Sequence, residues 1–337
     1  MFRQIVLFTT VFTLTFARKC NGYEELCSRT LNSGNLSTSF RYTYCFIPTV
    51  VLPFLHNAYA VPSNLTTEIP PNVSQNPGWT IDLQLEDGIR GFELDLAWSN
   101  VSGSNVLYMC HGNCDDGIGF KGPMAIEVFK LFEDFLTKNT DEVIKIEFQN
   151  DAGISAAELS TLLGPTLVNM AIVPVSPPPN VWPTLEELIT TNKRILFTTN
   201  NGVDGSHPWL QAGESLFTAN HYVYFSEEVT KSIYYPNFED AKNKNSLESL
   251  QRHASMCKAA DIQINYLSVD FGRTGDLLKA VAILNGVPPP AESKPLPGSS
   301  SDPSKEVGNK RMPSSSVSNA VSWISYCLII VMTCMIN

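Results

Sequence analysis

Gly91-Phe92-Glu93-Leu94-Asp95-Leu96-Ala97-Trp98 is the stretch whose reading decides the fold. In an extended strand its side chains alternate, Phe92, Leu94 and Leu96 to one face and Glu93 and Asp95 to the other. Ile144-Lys145-Ile146-Glu147-Phe148-Gln149 repeats the pattern, with Lys145, Glu147 and Gln149 opposed to the apolar set. In an open sheet the polar ladders would face water. In a barrel the apolar set packs on outer helices, and the polar set points into the mouth. Working outward, Pro48 to Leu55, Gly91 to Trp98, Val106 to Cys110, Glu142 to Gln149, Arg194 to Thr199, Tyr222 to Phe225 and Asn265 to Phe271 read as strands. Helical patterns alternate with them at Met124 to Thr137, Ser155 to Leu163, Thr184 to Thr190 and Asp276 to Leu284. That alternation predicts an α/β fold, with a single TIM (β/α)8-type barrel as the form that turns the polar ladders inward.

Barrel enzymes carry their working groups at the C-terminal ends of strands. His56 follows the first strand, Glu93 and Asp95 lie late in the second, and His111 ends the third. Glu147 is late in the fourth and Asp270 late in the last. Paired histidines suit acid-base work because imidazole titrates near neutral pH. His207, His221 and His253 have no such context and read as structural or exposed.

The two ends read differently from the middle. Residues 1–17, Met1-Phe2-Arg3 and then an apolar run to Ala17, have the form of a secretory signal. Residues 288–319, rich in Pro, Ser, Gly and Lys, read as a disordered stalk. The apolar tail 320–337 has no Lys or Arg after it and fits a glycosylphosphatidylinositol-anchor signal, with a single C-terminal transmembrane helix as the rival. Ser314 is the candidate attachment residue, and Gly308 and Ser299 to Ser301 are small enough to compete. What remains, 18–287, is the length of one barrel, since these run to about 250 residues. The expected location is therefore the cell surface. A formal net charge of −10 gives no reason to expect nucleic acid as partner, and it repels an anionic lipid surface unless a cation mediates.

Cys20, Cys27, Cys45, Cys110, Cys114 and Cys257 lie in the mature domain, an even set that suggests disulfides in an oxidising compartment. Short spacings favour Cys20 with Cys27 and Cys110 with Cys114, leaving Cys45 with Cys257. Zinc held by Cys110-His111-Gly112-Asn113-Cys114 is the alternative, weakened by the lack of a second ligand pair. Asn35, Asn64, Asn72 and Asn100 head Asn-x-Ser/Thr triplets open to glycosylation.

Five strings carry a resemblance. They are Leu55-His56-Asn57-Ala58-Tyr59, Asp87-Gly88-Ile89-Arg90-Gly91-Phe92-Glu93-Leu94-Asp95, Cys110-His111-Gly112, Glu142-Val143-Ile144 and Val269-Asp270-Phe271. Together the sequence resembles the phosphatidylinositol-specific phospholipase C X-domain superfamily, in its secreted form, over most of 18–287. The resemblance implies a distorted barrel that cleaves a phosphodiester on the glycerol side, with the inositol 2-hydroxyl as internal nucleophile. It implies that His56 steadies the phosphoryl oxygen or helps deprotonate the hydroxyl, and that His111 is general acid for the leaving group. It also implies calcium, held by Asn57, Glu93 and Asp95. The ungapped alignment puts Phe148 at the fourth ligand position, so side-chain alternation assigns Glu147, with Gln149 second. The competing reading makes Glu93, Asp95 and Lys145 a metal-free ion-pair network. Asp270 orients His56 or is an ordinary strand-end residue.

The expected function is thus a phosphoric diester hydrolase of phospholipase C type acting on an inositol phospholipid or related phosphodiester at a membrane surface. Two alternatives use the same barrel: a catalytically inactive binding or adhesion protein, and a glycerophosphodiester phosphodiesterase.

Overall fold

A computed structural model describes residues 18–31, 49–61, 76–115, 120–173, 182–212, 216–222, 224–226, 234–236, 238–260 and 262–290. The elements run β1 (Leu52–Leu55), α1 (Ile81–Asp87), β2 (Gly91–Val101), β3 (Ser104–His111), β4 (Phe120–Met124), α2 (Ala125–Lys138), β5 (Ile144–Gln149) and α3 (Ala156–Asn169). Then follow α4 (Leu185–Thr190), β6 (Ile195–Thr199), β7 (Leu210–Ala212), β8 (Thr218–His221), β9 (Tyr224–Ser226) and β10 (Tyr234–Pro236). The last are α5 (Phe238–Lys244), α6 (Leu247–Ala259), β11 (Tyr266–Val269) and α7 (Leu277–Leu284).

Parallel pairings join β7-β6-β5-β2-β1-β11-β8 into a sheet that curls as a half-barrel. The alternation that decided the fold class is realised. Phe92, Leu94, Leu96, Ile144, Ile146 and Phe148 are buried in the main core. There Phe92 meets Phe132 of α2 edge-on with centroids 5.0 Å apart, and Phe148 meets Phe129 at 5.9 Å. Contact between β1 and β2 is close enough that a Cβ on Gly91 would stand 2.2 Å from the Phe54 ring. Helix starts follow local chemistry: Ser155 and Glu158 form a reciprocal capping box at α3, and Thr184 and Glu187 do so at α4.

Several expectations change. Among the described residues no pairing joins β7 to β8, the two ends of the strand order, so what is seen of the expected barrel is a curled half-barrel sheet. The third expected strand is not a stave. Ser102 and Gly103 both take positive φ (53° and 87°), and Val101 pairs with Ser104, so β2 folds back on itself through a two-residue hairpin turn. β3 therefore runs antiparallel to β2 and carries His111 back toward the end of the parallel strands. Tyr222 to Phe225 is not one strand: β8 ends at His221, and Tyr224 to Ser226 belong to a separate two-stranded ladder with β10. The sequence reading missed α1 and α6 altogether.

Cys20–Cys27 and Cys110–Cys114 are disulfide-bonded, which overturns the zinc alternative because both thiols at Cys110-His111-Gly112-Asn113-Cys114 are used. Cys257 is buried, and Cys45 lies outside the described residues. So do Asn35, Asn64, Asn72, Ser314, residues 1–17 and the tail 320–337. Asn100 is exposed beside the β2–β3 turn. Among the described residues no helix is long and apolar enough to cross a membrane.

Candidate active site

The four strands that position the site pair in parallel register. Leu55 lies beside Phe92 on one side and Val269 on the other, and Glu93 lies beside Glu147. His56, Glu93, Asp95, Glu147 and Asp270 thus come to one end of the sheet from β1, β2, β5 and β11. Asn57, at φ 49°, turns the chain out of β1, and the Ala58 amide donates to the Glu93 carbonyl oxygen.

His56 is held from both sides. Its Nδ1 lies 2.6 Å from Asp270 Oδ1, and its Nε2 lies 3.4 Å from Glu93 Oε2. Burial opposes charge on the ring, but Glu93, Asp270 by charge and hydrogen bond, and Asp95 outweigh it and push the imidazole up to about 10. Asn57 Nδ2 lies 3.1 Å from His56 Nε2. That amide orientation suits a neutral Nε2; a charged ring, with N–H on both nitrogens, requires the amide turned so that its oxygen accepts. Tyr222 stacks on His56 with centroids 4.6 Å apart and planes 22° apart. Its hydroxyl is 2.6 Å from Ser268 Oγ and 3.1 Å from Asn220 Oδ1.

Asp95 is 1% exposed, and Tyr59 donates its hydroxyl to Asp95 Oδ2 at 3.1 Å. Burial, then the charge of Glu93, raise its carboxyl well above the usual range. Burial raises Glu93 too, against the pull of His56. Asp95 Oδ1, Asn57 Oδ1, Asp270 Oδ2 and His111 Nδ1 are buried with no hydrogen-bond partner among the described residues. Buried polar atoms normally have one, so these orphans mark where a ligand would be received.

Glu147 is otherwise engaged: its Oε2 takes the ammonium of Lys145 at 2.5 Å. Lys145 is fully buried, with the rings of Tyr266 and Phe54 at 4.5 and 5.1 Å from its nitrogen. The competing reading, Lys145 paired with Glu93 and Asp95, is therefore not the pairing formed. Among the described residues no group of three or more His, Cys, Asp or Glu is arranged to hold a metal ion. The orphaned Asp95 Oδ1 nonetheless fits a cation, and Asn57 Oδ1 does so while its amide keeps Nδ2 toward a neutral His56 Nε2; Glu147 fits only by giving up Lys145.

His111 arrives from β3. Gly112 follows at φ 77°, and the Cys110–Cys114 disulfide closes the turn around it. Burial, then the charge of His56, lower the His111 imidazole below its ordinary value, while Asp151 and Asp270 pull it up. The two histidines thus feel one another, and their charges are set in opposite directions: His56 charged, His111 neutral.

Two residues of the site went unnoticed in the sequence. Tyr222 sat inside an expected strand whose bounds were wrong, and Tyr59 was quoted in a motif without a role. A polar-tipped aromatic one residue beyond a strand end, or three beyond His56, is the only local signal for either.

Residues 69–209 match the family model PI-PLC X 1. The chain contains a PI-PLC X region. The region takes in Glu93, Asp95, His111 and Glu147 and stops short of His56, Asn57 and Asp270, which the fold adds to it. An uncharacterized secreted protein of Arthroderma benhamiae is 24% identical over 204 residues, which cover 58% of this chain and 38% of that protein. The chain thus spans well under half the length of that curated relative. Among solved structures, the phosphatidylinositol-specific phospholipase C from Listeria monocytogenes is 14% identical with a TM-score of 0.46, covering 77% of this chain and 95% of that one. A mutant of the Staphylococcus aureus enzyme is 12% identical with a TM-score of 0.39, covering 72% and 73%.

Proposed function

We propose that the protein is an extracellular phosphoric diester hydrolase of phospholipase C type that acts on an inositol phospholipid or a related phosphodiester at a membrane surface. The observation that carries the reading is His56 fixed between Asp270 and Glu93 at the C-terminal ends of β1, β2 and β11, with His111 brought to the same end from the PI-PLC X region. In such a reaction the inositol 2-oxygen forms a bond to phosphorus, the bond from phosphorus to the glycerol oxygen breaks, and the proton that leaves the 2-hydroxyl is taken by His111 and passed to the glycerol oxygen. His56, charged as it stands, suits the phosphoryl oxygens, where negative charge gathers. His111, neutral as it stands, suits taking a proton before giving it to the leaving group. Closure of the curled sheet into a complete distorted barrel belongs to the same reading.

A divalent cation, calcium by the chemistry of its oxygen ligands, would be held by Asn57, Glu93 and Asp95, with Glu147 joining on release of Lys145. When bound, it would offset charge on the phosphoryl group. The disulfides and the secreted relative support a location outside the cell. Anchoring of the chain by its 320–337 tail, glycosylation at Asn100, and the third pairing of Cys45 with Cys257 are part of the proposal.

The test is release of water-soluble head group from labelled phosphatidylinositol by the purified protein, with calcium, with a chelator, and with His56→Ala and His111→Ala alongside. Cyclic inositol phosphate, lost in both variants, supports the hydrolase. Absence of turnover from folded protein would move the reading to a binding module, and release of glycerophosphate from glycerophosphodiesters would move it to that third class.

A further inference from the structure

Behind the active site, on the helix side of the edge strand β8, two histidines face each other. His221 ends β8 in register with Val269, the residue before Asp270. Its Nδ1 lies 2.9 Å from Nδ1 of His253 in α6, with ring centroids 5.1 Å apart. Its Nε2 lies 2.8 Å from the carbonyl oxygen of Lys244, at the end of α5, and 3.3 Å from Ser249 Oγ. A carbonyl oxygen only accepts, so His221 carries its proton on Nε2. Neutral His221 then offers a lone pair at Nδ1, and His253 Nδ1–H donates to it. The pair tolerates one added proton, because a single hydrogen can still lie between the two Nδ1 atoms. Two added protons put two N–H groups head to head at hydrogen-bond distance, and the contact cannot survive.

The next residue after His221 is Tyr222, whose ring lies on His56 and whose hydroxyl is tied to β8 and β11 through Asn220 and Ser268. Whatever fixes the end of β8 therefore fixes the wall against which His56 rests.

We propose that the His221–His253 pair is an acid-sensitive latch that pins the end of β8 to α6 and seats Tyr222, a positioning residue, against His56, and that double protonation of the pair releases this seat. The latch rests on the reading of His56 as catalytic, and it adds to that reading a control by acidity. The groups that act on the pair include Lys244 from α5, by its carbonyl and its charge, and Ser249 from α6. Burial lowers His221, against the bond to the Lys244 carbonyl that raises it. Burial, then the charge of His221, lower His253 to about 4, so the second proton enters only in acid.

Imidazole proton–nitrogen spectra of the full chain between pH 7 and 3.5 test the latch, with His56 signals assigned by His56→Ala and the fold followed by circular dichroism. The wild type is compared with His253→Gln, which keeps a donor but cannot titrate, and with His253→Phe, which keeps the bulk. In the wild type the His56 ring signals are expected to shift with the second midpoint of the pair, near pH 4, and that step is expected to vanish in both variants. Silent His56 signals while the pair titrates, or the same step in both variants, would overturn the latch. So would global unfolding of the wild type at that midpoint with His253→Gln still folded. Head-group release on the same samples separates the two readings: a coupled shift without turnover keeps the latch and sinks the hydrolase, whereas turnover with silent His56 signals does the reverse.

Discussion

His56 works through what touches it. Asp270 holds its Nδ1 at 2.6 Å and fixes which way the ring faces, while Tyr222 covers one of its faces. Replacing His56 by Ala is expected to lower kcat on the order of 10²- to 10³-fold, the usual cost of losing one group that stabilises developing charge. Asp270→Asn leaves a hydrogen-bonding side chain without the charge, and a ring displaced by about 1 Å costs on the order of 10²-fold. Steady-state kinetics should show that loss in kcat with KM little changed; an unchanged kcat would make Asp270 an ordinary strand-end residue. His56, Glu93, Asp95, His111 and Asp270 were legible in the sequence because position at a strand end is a local property, whereas Asn57 was named only through the family resemblance. Glu147 was legible as a polar inward residue, but its engagement with Lys145 was not, since two residues of alternation place both on one face and say nothing of which neighbour each selects.

Elements with strong alternation or capping were found close to their true bounds, as β2, β5, α2 and α4 show. At α3 the Ser155 hydroxyl accepts from the Glu158 amide, so Ser155→Ala is expected to cost about 1 kcal/mol, read as a lower thermal midpoint with activity intact. Gly91 is constrained by packing rather than by φ: a methyl there runs into Phe54. Gly91→Ala is expected to destabilise by about 1 to 3 kcal/mol in denaturant unfolding, and to lower activity as well because β1 carries His56. The hairpin between β2 and β3 escaped notice because Ser102-Gly103 is a weak turn signal between two β-rich runs. Read without it, β3 became a parallel stave, and the direction from which His111 enters was wrong. Helix α6 escaped because its few buried side chains, Leu250, Ala254 and Cys257, make a thin apolar stripe.

Across the whole molecule the acid response follows from proton counting. His221 and His253 have folded values below the ordinary one, so between pH 6.5 and about 4 the unfolded chain binds protons that the folded chain refuses. Their burden on stability is absent above that window and grows as pH falls through it. His56 adds no slope there, because its folded value is raised and it is charged in both states. The midpoint for denaturant unfolding should therefore fall less steeply with acidity in His253→Gln than in the wild type, and equal slopes would refute the assignment. The sequence by itself determined the class of fold, the two curled-sheet strands that carry Glu93, Asp95 and Glu147, and the two histidines of the site, because alternation and strand ends are written in consecutive residues. Only the tertiary structure decided that the parallel strands curl in the order β7-β6-β5-β2-β1-β11-β8, that His111 returns on an antiparallel strand, that Lys145 takes Glu147, and that His221 meets His253 behind Tyr222. Each of these joins residues distant in the chain or chooses one partner among several, and such choices are made by packing and charge in three dimensions.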